Sequence, residues 1–249
     1  MEITSVNNDL VKETAKLQQK KYRNQSGKFL LEGYKAIREA FDCGIVLDRV
    51  FVDKKHLSEY SFAGSAIIET TDTVLKKLST TESAPEAVAI GVQKEYDKRL
   101  LNSSKKVVLL ENIKDLGNLG TIIRSSLAFG ADAIILYGDS VDIYNPKCVR
   151  ASVGNLWKLP IFHFKTVDEL KDNFSNFERV ATLPRSNNLL KTYKAKLPIL
   201  VMFGSEADGL SGDLINFATD SVKIEMAKTV ESLNLATSVS VILYQLFVD

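Results

Sequence analysis

The sequence has little of what several common classes of protein need. Its 249 residues include only two cysteines, Cys43 and Cys148, and two histidines, His56 and His163. The cysteines lie too far apart for a CxxC motif, so we expect free thiols in a reducing compartment. No zinc-ligand spacing is present, and we predict that no metal takes part in the function. No apolar run approaches the roughly 20 residues that span a bilayer, so we expect no membrane partner.

Motifs for several kinds of catalysis are also absent. The sequence lacks GxGxxG, GxxxxGK[ST], HExxH and GxSxG, which argues against Rossmann-type hydride transfer, metal chemistry and triad hydrolysis. The first residues show no basic segment followed by an apolar core, so we predict no signal peptide and a cytoplasmic protein. The formal net charge is +1. Any nucleic-acid binding would therefore depend on local basic patches rather than on bulk charge.

What the chain does contain is an alternation of apolar strands and amphipathic helices. Hydrophobic residues make up 45% and charged residues 25% of the sequence, which is typical of a globular protein. From Phe29 onward, strand patterns alternate with helical ones such as 33–43, with Phe41 on its inward face, and 120–129. This alternation predicts an α/β fold. A polar, charged stretch predicts a domain boundary near 95–105.

Three segments carry polar residues at places where a strand ends. In the first, 111–124, an apolar strand leads into a glycine-containing loop with Asn118, and a helix then brings in Arg124. Glycines let backbone amides approach a ligand, and short polar side chains hold a loop in one shape. On spacing alone, a well-made turn without a ligand and a surface or packing arginine remain open alternatives.

The second and third segments are ambiguous in the same way. In 200–211 a hydrophobic strand breaks into a loop that carries Glu206 between Gly204 and Gly209. In 224–235, Ser232 and Asn234 precede an apolar helix. A tight turn explains the former, and a helix N-cap explains the latter.

Taken in order, the three segments resemble the three motifs of the SpoU-type (TrmH-like) RNA 2′-O-ribose methyltransferases of the SPOUT superfamily. The stretch 21–33 is similar to the substrate-binding domain of many members, and 149–160 to the piece between the first and second motifs. The resemblance implies a small N-terminal α/β substrate-binding domain, ribosomal-protein-like, over 1–98. It further implies an α/β trefoil-knot (SPOUT) methyltransferase domain over 105–249 that forms a homodimer.

The resemblance also implies functional residues. The matched catalytic positions are Asn118, Arg124, Glu206, Ser232 and Asn234. The positions that would hold S-adenosylmethionine are Leu183, Gly204, Ile224, Met226 and Leu233. Four residues depart from the family pattern: Leu116 and Glu225 stand where proline is common, Lys228 stands where glycine is frequent, and Asp208 places an acidic residue beside the site. Leu116 should loosen the first loop, because proline would pre-set its backbone.

The resemblance implies methyl transfer to a ribose hydroxyl, and the chemistry of that reaction sets the expected roles of the side chains. Arg124 is the cation expected to stabilise the developing alkoxide or to hold the adjacent phosphate. A guanidinium is a poor base, so we favour a phosphate or water as proton acceptor. The resemblance of the N-terminal domain to ribosomal-protein-like RNA binders implies ribosomal RNA as the expected substrate, with tRNA second, and the family resemblance implies guanosine as the nucleotide.

A basic stretch is the candidate phosphate-contact surface, and its residues are Lys20, Lys21, Arg23 and Lys28. The alternative is a solvated linker.

Two other classes of function remain open. One is a non-catalytic RNA-binding or ribosome-assembly protein on the same fold, and the other is a small-molecule enzyme with a different α/β fold.

Overall fold

A computed structural model describes residues 1–227, 229–230 and 232–248. Its strands are β1 (Glu2–Ile3), β2 (Lys28–Glu32), β3 (Leu47–Asp53), β4 (Ile67–Thr70), β5 (Ala87–Val92), β6 (Lys106–Glu111), β7 (Ala133–Tyr137), β8 (Ile161–Phe164), β9 (Glu178–Thr182), β10 (Ile199–Phe203) and β11 (Asp220–Val222). Its α-helices are α1 (Asp9–Lys16), α2 (Lys20–Ser26), α3 (Tyr34–Asp42), α4 (Asp72–Leu78), α5 (Leu116–Ala128), α6 (Pro146–Ala151), α7 (Val167–Phe174), α8 (Gly212–Phe217) and α9 (Leu235–Phe247).

The chain divides into two compact units. The first comprises Met1–Glu95 together with Asp142–Trp157, and the second comprises Tyr96–Val141 and Lys158–Asp249. The sequence did not indicate that a segment between β7 and β8 would fold with the first unit. The assignment of 1–98 to substrate binding and of 105–249 to catalysis stays a prediction.

A mixed sheet forms the centre of the first unit, with the strand order β1-β4-β3-β5-β2. Its apolar side chains, including Leu30, Phe51 and Val88, pack with α1 and α4 in one core. The segment Asp142–Trp157 adds to this unit beside β2. The Phe29 ring lies 4.9 Å from that of Tyr144 and 5.0 Å from that of Trp157, measured between centroids.

A parallel sheet forms the second unit, and within the described residues its order is β11-β9-β10-β6-β7-β8. Val107 to Leu110 of β6 are fully buried, as expected for a parallel strand that is covered on both faces. Val107 and Leu109 share a core with residues of α7 and α8. Helices α5 and α9 pack against each other, and the Ser125 and Ser240 hydroxyls lie 2.8 Å apart between them.

The loop after β9 encloses the end of β11. Leu183 N donates to Val222 O at 3.0 Å, Lys223 N donates to Asn188 O at 3.0 Å, and Leu190 N donates to Lys223 O at 2.8 Å. The chain at 222–223 is therefore hydrogen-bonded on both sides by the segment 183–190. None of the described helices is long and apolar enough to cross a membrane.

Candidate active site

Helix α5 begins earlier than the sequence pattern indicated. The Asp115 side chain accepts a hydrogen bond from Asn118 N at 2.6 Å and caps the helix, which starts at Leu116. The helix prediction for 120–129 was therefore wrong at its start, because a side-chain cap allows two glycines to enter the first turns. Asn118 lies in the first turn and not in a loop, so its backbone is fixed by the helix. Leu116 takes the first helical position, where proline is favoured.

Asn118 connects the three polar segments. Its Nδ2 donates to Glu206 Oε1 at 2.9 Å, and its Oδ1 accepts from Asn234 Nδ2 at 3.0 Å. These residues come from the first turn of α5, the loop after β10 and the start of α9. Residues far apart in sequence thus form one hydrogen-bonded row at the carboxyl-end edge of the parallel sheet, where α/β folds commonly bind ligands.

The loop that carries Glu206 holds its own shape. Ser205 and Gly209 exchange two backbone hydrogen bonds, both at 3.1 Å. A side chain at Gly204 would place its Cβ 1.9 Å from Gly209 C, so this close turn requires glycine. At the end of the loop, Ser211 N donates to the buried Glu111 carboxylate at 2.7 Å. Glu111 is a site residue that the motifs did not single out. Its position at the end of an apolar strand could have indicated it from the sequence.

Asn234 is both a helix cap and a member of the site. Its Oδ1 accepts from Thr237 N at 3.3 Å and caps α9, while its Nδ2 bonds to Asn118. The two interpretations of this residue from sequence are therefore compatible. Ser232 lies exposed two residues earlier. Among the described residues, its hydroxyl has no hydrogen-bond partner.

Arg124 stands apart from this row. It lies six residues after Asn118 on α5, which corresponds to about 9 Å along the helix and about 240° around it. Its side chain is exposed, and it forms no hydrogen bond or ion pair with the described residues. The guanidinium is therefore available to an external phosphate or hydroxyl.

Most of the predicted cofactor residues follow adjacent strands. The sheet register sets Gly204, Leu183 and Lys223 side by side after β10, β9 and β11, and Ile224 comes next along the chain. Ile224 also lines a groove of about 530 Å³ with Leu190, Ser240 and Tyr244. Met226 and Leu233 lie on the segment that joins β11 to α9, and Lys228 lies outside the described residues.

The chemistry of this region fits S-adenosylmethionine. The backbone N–H groups of Ile224, Met226 and Leu233 donate to no acceptor within the part of the chain that the structure describes. Free backbone donors beside apolar side chains suit the hydrogen-bonding edge and the faces of an adenine. Glu225 stands where proline is common in the family. Its carboxylate forms an ion pair with Lys191 across the groove.

The basic stretch divides into exposed and buried side chains. Lys20 and Lys21 are exposed on α2, and Lys28 is half-exposed in an ion pair with Asp48 at 2.9 Å. Arg23 is buried, with 1% of its side chain exposed, and its Nη2 lies 2.7 Å from Asp142 Oδ2. The prediction that Arg23 contacts RNA is wrong, because this buried ion pair occupies its guanidinium. No group of metal-ligating side chains occurs among the described residues.

Comparison with known proteins identifies the family. Residues 105–244 match the model of the SpoU rRNA Methylase family, and residues 8–89 match an MRM3-like substrate binding domain. The chain therefore belongs to the SpoU rRNA methylase family, as the resemblance predicted. It is an S-adenosylmethionine-dependent RNA 2′-O-ribose methyltransferase by class, and its predicted α/β fold class is confirmed.

Individual relatives cover nearly the whole chain. An uncharacterized tRNA/rRNA methyltransferase of Synechocystis is 32% identical over 98% of this chain and 92% of its own length. The 23S rRNA (guanosine(2553)-2′-O)-methyltransferase RlmP of Bacillus subtilis is 26% identical over 98% of both chains. The crystal structure of an AdoMet-bound rRNA methyltransferase from Sinorhizobium meliloti is 28% identical with a TM-score of 0.89, covering 98% of this chain and 96% of that one.

Proposed function

We propose that this enzyme methylates the 2′-hydroxyl of a guanosine ribose in ribosomal RNA. The observation that carries the proposal is the hydrogen-bonded row of Glu206, Asn118 and Asn234, which unites the three motifs at one edge of the sheet. The Bacillus subtilis relative, which acts on a guanosine of 23S rRNA, supports the choice of RNA and nucleotide. When bound, S-adenosylmethionine supplies an electrophilic methyl group on a sulfonium.

Arg124 is the catalytic residue in this proposal. Its exposed guanidinium donates to the ribose oxygen or to the neighbouring phosphate and stabilises negative charge as it develops on the oxygen. The 2′-hydroxyl proton passes to a phosphate oxygen or to water, because a guanidinium is a poor proton acceptor. Arginine suits this task better than lysine, because its planar fork holds two oxygens at once.

Glu206, Asn118 and Asn234 act as positioning residues. The row fixes the loop after β10 against the starts of α5 and α9, so the nucleotide and the cofactor meet rigid groups. Holding two reactants in line can lower a barrier by several kcal/mol. Ser232 completes the pocket with its hydroxyl, which has no hydrogen-bond partner among the residues that the structure describes. Leu183, Gly204, Ile224, Met226 and Leu233 hold the cofactor, mainly through backbone groups.

The loop after β9, which surrounds the end of β11, supports a trefoil knot in the second unit. The segment 183–190 bonds to both sides of 222–223, which is the arrangement expected where a chain end passes through a loop. A knot would hold the cofactor segments in a fixed geometry without relying on flexible surface contacts.

The outer face of α9 supports a homodimer. Val241 is 41% and Tyr244 61% exposed on this face, and the groove beside them is mainly apolar in its lining. Exposed apolar patches of this kind commonly mark an interface, and a second copy is the proposed occupant. The proposed interface is on α9, which packs beside α5, the helix that carries Arg124.

Lys20, Lys21 and Lys28 are the proposed phosphate contacts of the first unit. Their ammonium groups would add a salt-dependent contribution to RNA affinity. The proposed compartment is the cytoplasm, where ribosomal RNA is available to the enzyme.

Transfer of a radioactive methyl group tests the proposal. The purified chain is incubated with [methyl-³H]S-adenosylmethionine and with ribosomal RNA or tRNA from cells that lack the gene. We expect label in ribosomal RNA, recovered as 2′-O-methylguanosine after digestion to nucleosides. Ribosomal RNA from the parent strain is the matched control and should accept little label, because its site is already methylated.

The outcomes separate the alternatives. Label confined to tRNA would replace the proposed substrate, and label on a base would overturn the proposed reaction. Absence of both cofactor binding by calorimetry and transfer to either RNA would indicate a non-catalytic RNA-binding protein.

A further inference from the structure

Helix α3 presents two aromatic rings at the surface of the first unit. Tyr34 is 38% and Phe41 40% exposed. They lie two helical turns apart on one face, about 10 Å along the axis, with Arg38 between them. The sequence pattern predicted Phe41 on the inward face of this helix, and that prediction was wrong.

Phe62, from the 3-10 helical segment Lys54–Ala66, connects these side chains. Its ring centroid lies 6.3 Å from that of Tyr34 and 5.0 Å from that of Phe41. The Arg38 guanidinium carbon lies 4.8 Å from the same centroid. Tyr34, Arg38, Phe41 and Phe62 therefore form a continuous patch of rings with one cation, which we call the α3 aromatic patch.

The patch rests on a fixed support. The Tyr34 backbone N–H donates to Glu86 Oε1 at 2.7 Å, and the Tyr60 hydroxyl donates to the same oxygen at 3.4 Å. Tyr60 is fully buried and its ring centroid lies 5.5 Å from that of Tyr34. Arg38 Nε donates to Asp42 at 3.0 Å. A partner would thus meet rings that are already ordered, which reduces the entropy lost on binding.

The size of the patch favours a nucleobase over a protein. Two rings exposed by about two-fifths offer about 150 Å² together, whereas a stable protein interface buries about 800 Å² on each side. One or two bases, in contrast, match this area. Lys35 stands next to Tyr34, is exposed and forms no ion pair with the described residues, so a phosphate beside a stacked base would find a cation.

We propose that Tyr34 and Phe41 stack on unpaired bases of the RNA substrate, with Lys35 contacting the adjacent phosphate. The proposal rests on the proposed function, because it takes RNA as the substrate of this enzyme. Stacking on exposed aromatic rings requires bases that are not in a duplex. The α3 aromatic patch therefore selects single-stranded or looped RNA, independently of the methyl-transfer site.

Fluorescence titration of the full-length chain tests this inference. The probe is a short single-stranded RNA that carries one 2-aminopurine, with a duplex of the same sequence as comparison. We expect quenching only with the single strand. Tyr34→Leu and Phe41→Leu keep apolar volume but lose the ring, and each should weaken single-strand affinity about tenfold while leaving the salt dependence unchanged. Lys35→Ala should lower the salt slope by about one.

Val46→Ala is the matched control, because Val46 is an apolar side chain of the same unit that is 65% exposed. Its RNA affinity should equal that of the wild type, and thermal melts should show that all variants are folded. Unchanged affinity in both leucine variants, or equal binding of duplex, would overturn the proposal. Methyl transfer to ribosomal RNA is measured in parallel. If the enzyme methylates ribosomal RNA but the leucine variants bind single-stranded RNA as the wild type does, only the proposal for the α3 aromatic patch is refuted. If the leucine variants lose RNA affinity but the wild type transfers no methyl group, only the proposed reaction is refuted.

Discussion

Asn234 Nδ2 donates a hydrogen bond to Asn118 Oδ1 at 3.0 Å and joins two residues 116 positions apart. The same Asn118 amide donates through Nδ2 to Glu206, so both ends of one side chain are used. A side-chain amide accepts at its oxygen and donates at its nitrogen, and Asn118 uses both. The orientation of Asn118 is therefore set by its two partners, and this makes it the central residue of the row.

Asn118→Asp should slow methyl transfer about a hundredfold without unfolding the protein. The substitution removes the donor to Glu206 and places two carboxylates together, so the loop after β10 moves away. A displacement of about 1 Å at a reacting centre can lower the rate about a hundredfold. We expect the single-turnover rate constant to fall by this order, and calorimetry measures the accompanying change in cofactor affinity.

Asn173→Asp is a matched control for this variant. Asn173 Nδ2 donates to Glu169 O within α7, away from the row. Wild-type turnover is expected there. If Asn118→Asp also turned over like the wild type, the row would have no part in catalysis.

The local elements could be predicted from the sequence, because they depend on neighbouring residues. The helical pattern at 33–43 matches α3, and the hydrophobic strand expected in 200–211 ends at Phe203, directly before Gly204. The start of α5 was missed because a capping side chain, Asp115, outweighed the helix-breaking tendency of the glycines that follow it.

The long-range contacts could not be predicted, because spacing carries no information about them. Arg23 was expected at the surface, yet it pairs with Asp142, which lies 119 residues later. Family motifs identified Asn118, Glu206 and Asn234 as site residues, but the hydrogen bonds that join them become apparent only in the folded chain. Phe41 was misplaced because α3 carries its apolar residues around more than one face.

Arg124→Ala should abolish methyl transfer and leave S-adenosylmethionine binding largely intact. Arg124 has no bond to the described residues, so its loss leaves no buried partner unpaired and the fold should be unaffected. Arg124→Lys keeps the charge but loses the planar fork, and we expect it to recover only a small part of the rate. Methyl transfer to ribosomal RNA and calorimetry with the cofactor measure the two effects. Wild-type-like turnover of Arg124→Ala would contradict its role.

Val241→Arg should convert the proposed homodimer into monomers. Val241 is exposed on the outer face of α9, where a charged side chain would have to be buried on association. Sedimentation velocity measures the mass. Ile215→Arg is the matched control, since Ile215 is equally 41% exposed but lies on α8. If Val241→Arg kept the wild-type mass, α9 would not be the interface.

The two thiols should differ sharply in reactivity. Cys148 is buried, and desolvation raises its pKa to about 12, so almost no thiolate forms at neutral pH. Cys43 is partly exposed. Titration with a chromogenic disulfide should detect one thiol in the native protein and two after denaturation. Cys43→Ser should remove the fast reaction, and a fast reaction that persists in this variant would show that Cys148 is accessible.

Arg23→Met should destabilise the first unit rather than weaken RNA binding. The guanidinium contacts Asp142 and donates to Leu17 O at 2.8 Å, and its removal leaves the partly buried Asp142 carboxylate without its cationic partner. Breaking a buried pair in this way costs about 3–5 kcal/mol, measured by urea unfolding. Lys20→Ala with Lys21→Ala provides the contrast: stability should change by less than about 0.5 kcal/mol, while RNA affinity and its salt slope fall. Unchanged stability together with weaker RNA binding in Arg23→Met would restore Arg23 as an RNA contact.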